Sequence, residues 1–264
     1  MAMTALASNH LENIILNTLR GTSAVGFDNL YLELFLTAPT KASPGTPVSY
    51  PEYQRQQIQW TAPAPEGIGL GIHNATDILF SAPSTNVGEV RYVGIFDAQT
   101  GGNMILFGAI AIPLNLIASV EPSLRAGYIM YYLTGDSTVW WKTQCLNLLR
   151  GTTIQGFTPH LALFSGDPEG SGVELQGTTY AREPLNFSTP TIDIPNLHFT
   201  ISNLDFVQFN DPTAPGWGNW QWNAIMTAAT GGNPVFKAPT PLPGTIHAAY
   251  TPTVREGRIR LGVR

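Results

Sequence analysis

Short apolar runs alternate with turn-forming residues along this chain, and one such alternation occurs twice. Tyr92-Val93-Gly94-Ile95-Phe96 leads into Asp97-Ala98-Gln99-Thr100-Gly101-Gly102-Asn103, and Met104-Ile105-Leu106-Phe107 leaves it. Trp222-Asn223-Ala224-Ile225-Met226 leads in the same way into Thr227-Ala228-Ala229-Thr230-Gly231-Gly232-Asn233, and Val235-Phe236 leaves. Each pattern predicts a β-hairpin, its turn formed by Gly101, Gly102 and Asn103 or by Gly231, Gly232 and Asn233. The paired glycines supply positive φ without a Cβ penalty. A phosphate-binding loop would need a helix after the glycines, and a strand-like run follows instead.

The same period of two predicts strands at 29–37, 53–60, 77–80, 87–96 and 128–133, strand and turn at 108–117, and a flexible connection at 67–71. A helical period appears at 9–20, where Leu11, Ile14, Ile15, Leu16 and Leu19 share one side and Gly21 stands as a stop, and again at 139–150. Strands are expected again at 160–164 and 185–188.

These segments are copies of one another. Leu19-Arg20-Gly21-Thr22 returns as Leu149-Arg150-Gly151-Thr152, Gly26-Phe27 as Gly156-Phe157, and Arg125-Ala126-Gly127 as Arg255-Glu256-Gly257, all 130 positions on. Tyr53 and Arg55 return as Tyr180 and Arg182 after small deletions. A whole-domain duplication follows, with one domain at 1–134 and the other at 138–264. The expected fold is mainly β: two tandem homologous β-sandwich, jelly-roll-like domains, each preceded by a short α-helix.

Composition supports this reading, because only 12% of residues are charged while Gly (26) and Pro (21) are frequent. Five basic and ten acidic groups precede residue 138 and eight of each follow, so the two halves present different charge. Arg255, Arg258, Arg260 and Arg264 make the end of the chain locally positive, and no basic stripe with aromatics points to nucleic acid. Cys145 is the single cysteine, which excludes an intrachain disulfide; its apolar helical setting predicts a buried thiol rather than a nucleophile. No signal peptide or membrane span is apparent, and a chain made and kept soluble in the cytosol is expected.

Candidate chemistry is sparse. His10, His73, His160, His198 and His247 stand alone, with no metal-ligand spacing, and no nucleophile elbow occurs, so neither an enzyme nor a cofactor is expected. Asp97 is the most tempting acid, but its counterpart is Thr227, which suits a hydrogen bond at the turn. Arg55 and Arg182 are expected to stack on the neighbouring Tyr53 and Tyr180 and to pair with a carboxylate at a sheet edge. Trp140 and Trp141, after the linker Gly135-Asp136-Ser137-Thr138, are read as a wedge between domains or a subunit contact. Trp217, Trp220 and Trp222, beside the Pro-, Gly- and Asp-rich stretch 210–217, are the candidate interface or recognition surface: they could stack on a sugar, but hydrophobic filling of a sandwich end or a protein interface is the stronger reading. Asn74-Ala75-Thr76 and Asn186-Phe187-Ser188 match the glycosylation pattern by chance.

The elements Leu19 to Gly21, Leu32 to Phe35, Tyr53 to Arg55, Gly94 to Asn103 and Phe107-Gly108 resemble a family of tail-fibre and minor tail proteins of tailed bacteriophages. The second copy departs from it, with Ala224-Ile225-Met226-Thr227 in place of Gly-Ile-Phe-Asp. The resemblance implies a non-enzymatic structural protein of the virion, in a tail fibre or baseplate, serving assembly or host attachment. Its expected partners are other virion proteins, further copies of itself as a trimer or pseudo-sixfold ring, and a host surface glycan, with no nucleic acid and no membrane insertion. A capsid cement protein and a carbohydrate-binding module are the alternatives; the latter requires Trp217, Trp220 and Trp222 to be exposed together.

Overall fold

The computed structural model describes residues 3–193 and 198–262. The chain is mainly β with two short helices. Repeat 1 runs β1 (Met3–Thr4), β2 (Leu6–Ala7), α1 (Asn9–Thr18), β3 (Leu30–Phe35), β4 (Gln56–Ile58), β5 (Ala64–Glu66), β6 (Gly69–His73), β7 (Ile78–Leu79), β8 (Gly88–Phe96), β9 (Met104–Leu116), β10 (Ser123–Leu124) and β11 (Ile129–Leu133). Repeat 2 returns the order from α1 onward as α2 (Val139–Leu148), β12 (His160–Phe164), β13 (Glu183–Pro184), β14 (Thr191–Asp193), β15 (His198–Ser202), β16 (Val207–Gln208), β17 (Gly218–Met226), β18 (Pro234–Ile246), β19 (Thr253–Val254) and β20 (Arg260–Gly262).

Both helices begin with a hydroxyl cap. Ser8 accepts from the Leu11 amide and Thr138 from the Trp141 amide, satisfying a first-turn donor in each. Gly21 and Gly151 follow the helices at φ +87° and +90°, a conformation that costs a glycine least.

Two larger sheets and a two-stranded one, β7-β10 in repeat 1 and β16-β19 in repeat 2, build each repeat around these helices. Repeat 1 has one sheet in the order β2-β9-β8-β3-β4 and a second in the order β1-β11-β6-β5; repeat 2 has β13-β12-β17-β18 and β14-β15-β20. Leu32, Val93, Ile95 and Leu106 from the first sheet and Ile72, Ile129 and Tyr131 from the second are buried in a common core. The stretch 67–71, expected to be a flexible connection, instead holds the β5–β6 turn and the start of a strand between two others. Gly67 takes the positive φ of the turn, +55°, while a Cβ on Gly69 would overlap the Leu133 carbonyl and one on Gly71 would press on Tyr132, so at these two positions the absent side chain is a packing requirement that looks like looseness in sequence.

The repeats cross each other about an approximate twofold axis. Ala24 and Ile154, equivalent positions, exchange both backbone hydrogen bonds at 2.9 Å. The surrounding contacts come in reciprocal pairs: the Phe27 amide donates to Leu148 O and the Phe157 amide to Thr18 O, while the Gly26 amide donates to Thr153 Oγ1 and the Gly156 amide to Ser23 Oγ. A Cβ on Gly26 would overlap the Gly151 carbonyl, and one on Gly156 the Gly21 carbonyl. This reciprocity is the signature of an isologous contact, here within one chain.

Across the crossing, α1 contacts β15 of repeat 2 and α2 contacts β6 of repeat 1, so each helix packs on the other repeat's second sheet. Leu11, Ile15, Leu16 and Leu19 of the first helical segment and Trp141, Cys145, Leu146 and Leu149 of the second join one continuous core. One charged device breaks the symmetry. The buried Glu12 carboxylate of α1 accepts from the Phe199 amide at 2.8 Å and meets His198 Nδ1 and Lys41 Nζ, whereas α2 carries Lys142 at that place, donating to Gly135 O at 2.9 Å. Burial pulls the Lys142 ammonium below its ordinary pKa, against the opposing pull of Glu169.

Two outcomes are expected. Gly26→Ala and Gly156→Ala should each cost about 1–3 kcal/mol in urea unfolding by overpacking the crossing, and both repeats should still lose structure in a single transition. Burial pushes the Cys145 thiol and the Tyr131 phenol up. The unfolded thiol ionises near pH 9.0 while the folded one stays protonated, so stability is full below that pH and falls as pH rises above it, by about 1.4 kcal/mol per pH unit for this group. Urea midpoints at pH 8 and pH 10 measure the fall, and a thiol reagent at pH 8 should label Cys145 only after unfolding.

Candidate functional site

The exposed tips of the β8–β9 and β17–β18 hairpins form the feature most faithfully duplicated on the surface. Gly101 and Gly102 take φ of +64° and +71°, Gly231 and Gly232 +62° and +69°. Asn103 donates its amide to Asp97 Oδ1 at 2.7 Å and its side-chain nitrogen to Asp97 Oδ2 at 2.9 Å; the Asn233 amide donates to Thr227 Oγ1 at 2.9 Å. Asp97 and Thr227 therefore do the same work, which needs one oxygen acceptor at the entry of the turn and no ionisable group. A Cβ on Gly102 or Gly232 would overlap that acceptor.

Beneath each tip lies an arginine. Arg55 donates through Nη1 to Ala98 O at 2.9 Å and Gly101 O at 2.6 Å, and through Nη2 to Glu33 Oε2 at 2.8 Å. Arg182 donates through Nη1 to Ala228 O at 2.7 Å and Gly231 O at 2.5 Å, and holds Glu174 with Nε and Nη2, both at 2.7 Å. The planar fork can reach a carboxylate and two turn carbonyls at once, which an ammonium cannot do in fixed geometry. The hydrogen bonds to Glu174 raise the Arg182 pKa, outweighing burial.

The carboxylate partner expected for each arginine is present, but the aromatic partner differs. Arg55 lies 3.7 Å from the centroid of Phe96, not on Tyr53. Tyr53 faces inward, stacks on Phe80 with centroids 5.9 Å apart, and accepts from the Leu34 amide at 2.7 Å; Tyr180 stacks on Phe209 and accepts from the Leu163 amide at 3.0 Å. Burial pushes both phenols up.

The tryptophans do not make an open aromatic surface. Trp217 is 4% exposed, packed edge-on against Tyr180 and Phe209, with its indole N–H on Thr179 Oγ1 at 3.3 Å. Trp220 is 9% exposed, and Trp222 lies half-buried in a separate cluster with Ala162, Phe164, Ala224 and Met226. A register shift in the β17–β18 pairing falls between Trp220 and Trp222. The joint exposure that a sugar platform would require is absent. Trp141 is buried beside Phe157, 5.9 Å between centroids, and stacks on Trp140 next to the inter-repeat crossing.

Sequence reasoning missed a second duplicated anchor. Asn74 is buried, donates to Thr76 O and Arg125 O, both at 2.9 Å, and accepts from the Ile129 amide; Asn203 makes the same set with Asp205 O, Arg255 O and the Ile259 amide. The signal was the return of Asn74 as Asn203, obscured because Asn74 also begins a glycosylation-like triplet. Among the described residues, no group of three or more His, Cys, Asp or Glu is placed to hold a metal ion, and no helix is long and apolar enough to cross a membrane.

Arg55→Ala and Arg182→Ala are expected to cost about 3 kcal/mol each, since each strands a partly buried carboxylate. Hydrogen exchange should accelerate at the tip whose arginine is removed and not at the other, and lysine in place of either arginine should recover only part of the loss.

No curated protein sequence matches the chain. A family model does, twice: residues 6–131 and 137–262 each match the model described as Podophage GP4 fiber I protein gp80. The two matched stretches are the two repeats that the crossing joins, and together they take in nearly the whole sequence, so the chain belongs to the podophage fibre I protein family.

Proposed function

We propose that this protein is a non-enzymatic structural component of the tail-fibre or baseplate apparatus of a tailed phage, built into the virion through contacts with other virion proteins and serving assembly or host attachment. The observation that carries this reading is the family match over both repeats. The joined tandem pair supports it, since one continuous core and a reciprocal backbone crossing fix the two repeats against each other, as a part that transmits position requires.

The assembly we favour is a homotrimer. A pseudo-sixfold ring would need each repeat to contact the next head-to-tail through unlike patches, whereas Ala24 meets its own equivalent, Ile154. Three pseudo-twofold pairs around a threefold axis fit that contact and display six Thr-Gly-Gly-Asn tips, each held firm by its arginine. The buried Trp217 and Trp220 leave the carbohydrate-module reading without its aromatic platform.

Cryo-electron microscopy of the particle, with native mass spectrometry of the purified chain, tests this. Density on the tail axis in threefold copies is expected, with a solution mass three times the chain's 28.6 kDa. Density at capsid lattice points, or a chain that is monomeric both in solution and in the particle, would overturn it.

A further inference from the structure

The two repeats differ in how the stretch before each helix meets the sheets. In repeat 1 the N-terminal stretch closes a seam between the sheets: β1 pairs in parallel with β11, Met3 beside Ile129 and Thr4 beside Met130; the Ala5 amide donates to Met130 O at 2.7 Å; β2 then pairs with β9. The corresponding stretch of repeat 2 is Leu133-Thr134-Gly135, and it is already committed. Leu133 ends β11, paired with Leu70, and Gly135 at φ +79° turns the chain back to rejoin repeat 2 at Asp136, whose carbonyl accepts from the Lys237 amide at 3.1 Å, and at the Ser137–Phe236 bridge, so that only the counterpart of β1 is missing among the described residues. One linker cannot be the last strand of repeat 1 and the first of repeat 2.

The seam of repeat 2 therefore stands open. Among the described residues β20 is an edge strand. Between it and β18 lies a cleft of about 1110 Å³, lined among others by Trp220, Ala238, Leu242, Val254 and Leu261, while the cleft at the corresponding place in repeat 1 measures about 300 Å³. Thr240, also lining it, is buried with its hydroxyl unpartnered, an arrangement that costs free energy unless something supplies a hydrogen bond. Charge has changed at the same place. Arg258 and Arg260 line the open seam where repeat 1 carries Tyr128 and Met130, joining Arg255. The other charged groups facing it are Asp136, Asp193, His198 and Lys237, the last held by Asp167 and Glu169.

We infer that the seam of repeat 2 is an acceptor for an extended, acidic segment of another virion polypeptide, which adds as a strand parallel to β20. Backbone pairing with an exposed edge supplies affinity and the arginines supply selectivity. Repeat 1 provides the template, a short strand with a small residue at the place of Ala5, 3% exposed. A second copy of this chain is a poor donor: residues 3–7 carry no acid, and withdrawing them would open the same seam in the donor. The inference rests on the proposed virion role only for the source of the strand.

The test replaces Leu242, 74% exposed at the cleft, by the photo-crosslinking residue p-benzoylphenylalanine in assembled particles, with Ile68, 91% exposed in repeat 1, as a control site. Illumination should yield an adduct at 242 with a different virion polypeptide and none of that kind at 68. Arg258→Glu with Arg260→Glu should cut the yield at least tenfold without changing the chain's melting midpoint, because both side chains are exposed. Adducts only with another copy of this chain, no adduct in particles that contain the chain, or a yield indifferent to charge reversal would overturn the inference and leave the proposed function standing. Particles lacking the chain would overturn both.

Discussion

The backbone exchange between Ala24 and Ile154 is where the architecture closes on itself. Beside that exchange the segments come too near for a side chain on Gly26 or Gly156, whose Cβ would overlap the backbone of Gly151 and of Gly21. Once the segments cross, α1 must lie on the second sheet of repeat 2 and α2 on that of repeat 1, and the two hydrophobic clusters merge into one. The apolar faces of the helices are thereby shared, and neither repeat keeps a complete core of its own. Burial of that shared surface, rather than linker length, fixes the relative position of the repeats.

Duplication also shows which interactions are replaceable. The hairpin acceptor is a carboxylate in one repeat and a hydroxyl in the other, because a single backbone N–H has to be satisfied. The arginine beneath it is retained, while its acid moves from Glu33 on β3 to Glu174 ahead of β13. What is invariant is the fork that reaches two turn carbonyls and one carboxylate in a plane, a geometry that no other side chain reproduces. At the helices the opposite occurs: Glu12 and Lys142 reverse charge at one position, Glu12 reaching the Phe199 amide of the other repeat and Lys142 the nearby Gly135 carbonyl.

The two copies differ in the stretch that leads into each helix. That difference falls on a strand. β1 completes the first repeat, and the second has its leading residues held in its neighbour's sheet. The open edge, the orphan hydroxyl of Thr240 and the two arginines that replace Tyr128 and Met130 all gather at the resulting gap.

Much of this was written in local pattern. Period-two runs announced β3, β8 and β11, the period near four announced both helices, and the matched Thr-Gly-Gly-Asn segments announced both hairpins and the duplication, because each depends on residues within a few positions of one another. The stretch 67–71 was misread because glycine serves looseness and close approach equally well, and only the neighbouring Leu133 carbonyl distinguishes them. For the same reason local spacing points Arg55 at the adjacent Tyr53 when its ring is Phe96, across the sheet, and leaves Trp217 and Trp220 between a recognition surface and the filling of a sandwich end, where their burial places them in the core. The sequence by itself determined the elements and their repetition. The tertiary structure decided which faces meet, that the repeats cross about an approximate twofold within the chain, and that one seam is left open among the described residues, since these rest on contacts between residues about 130 apart whose complementarity no local period records.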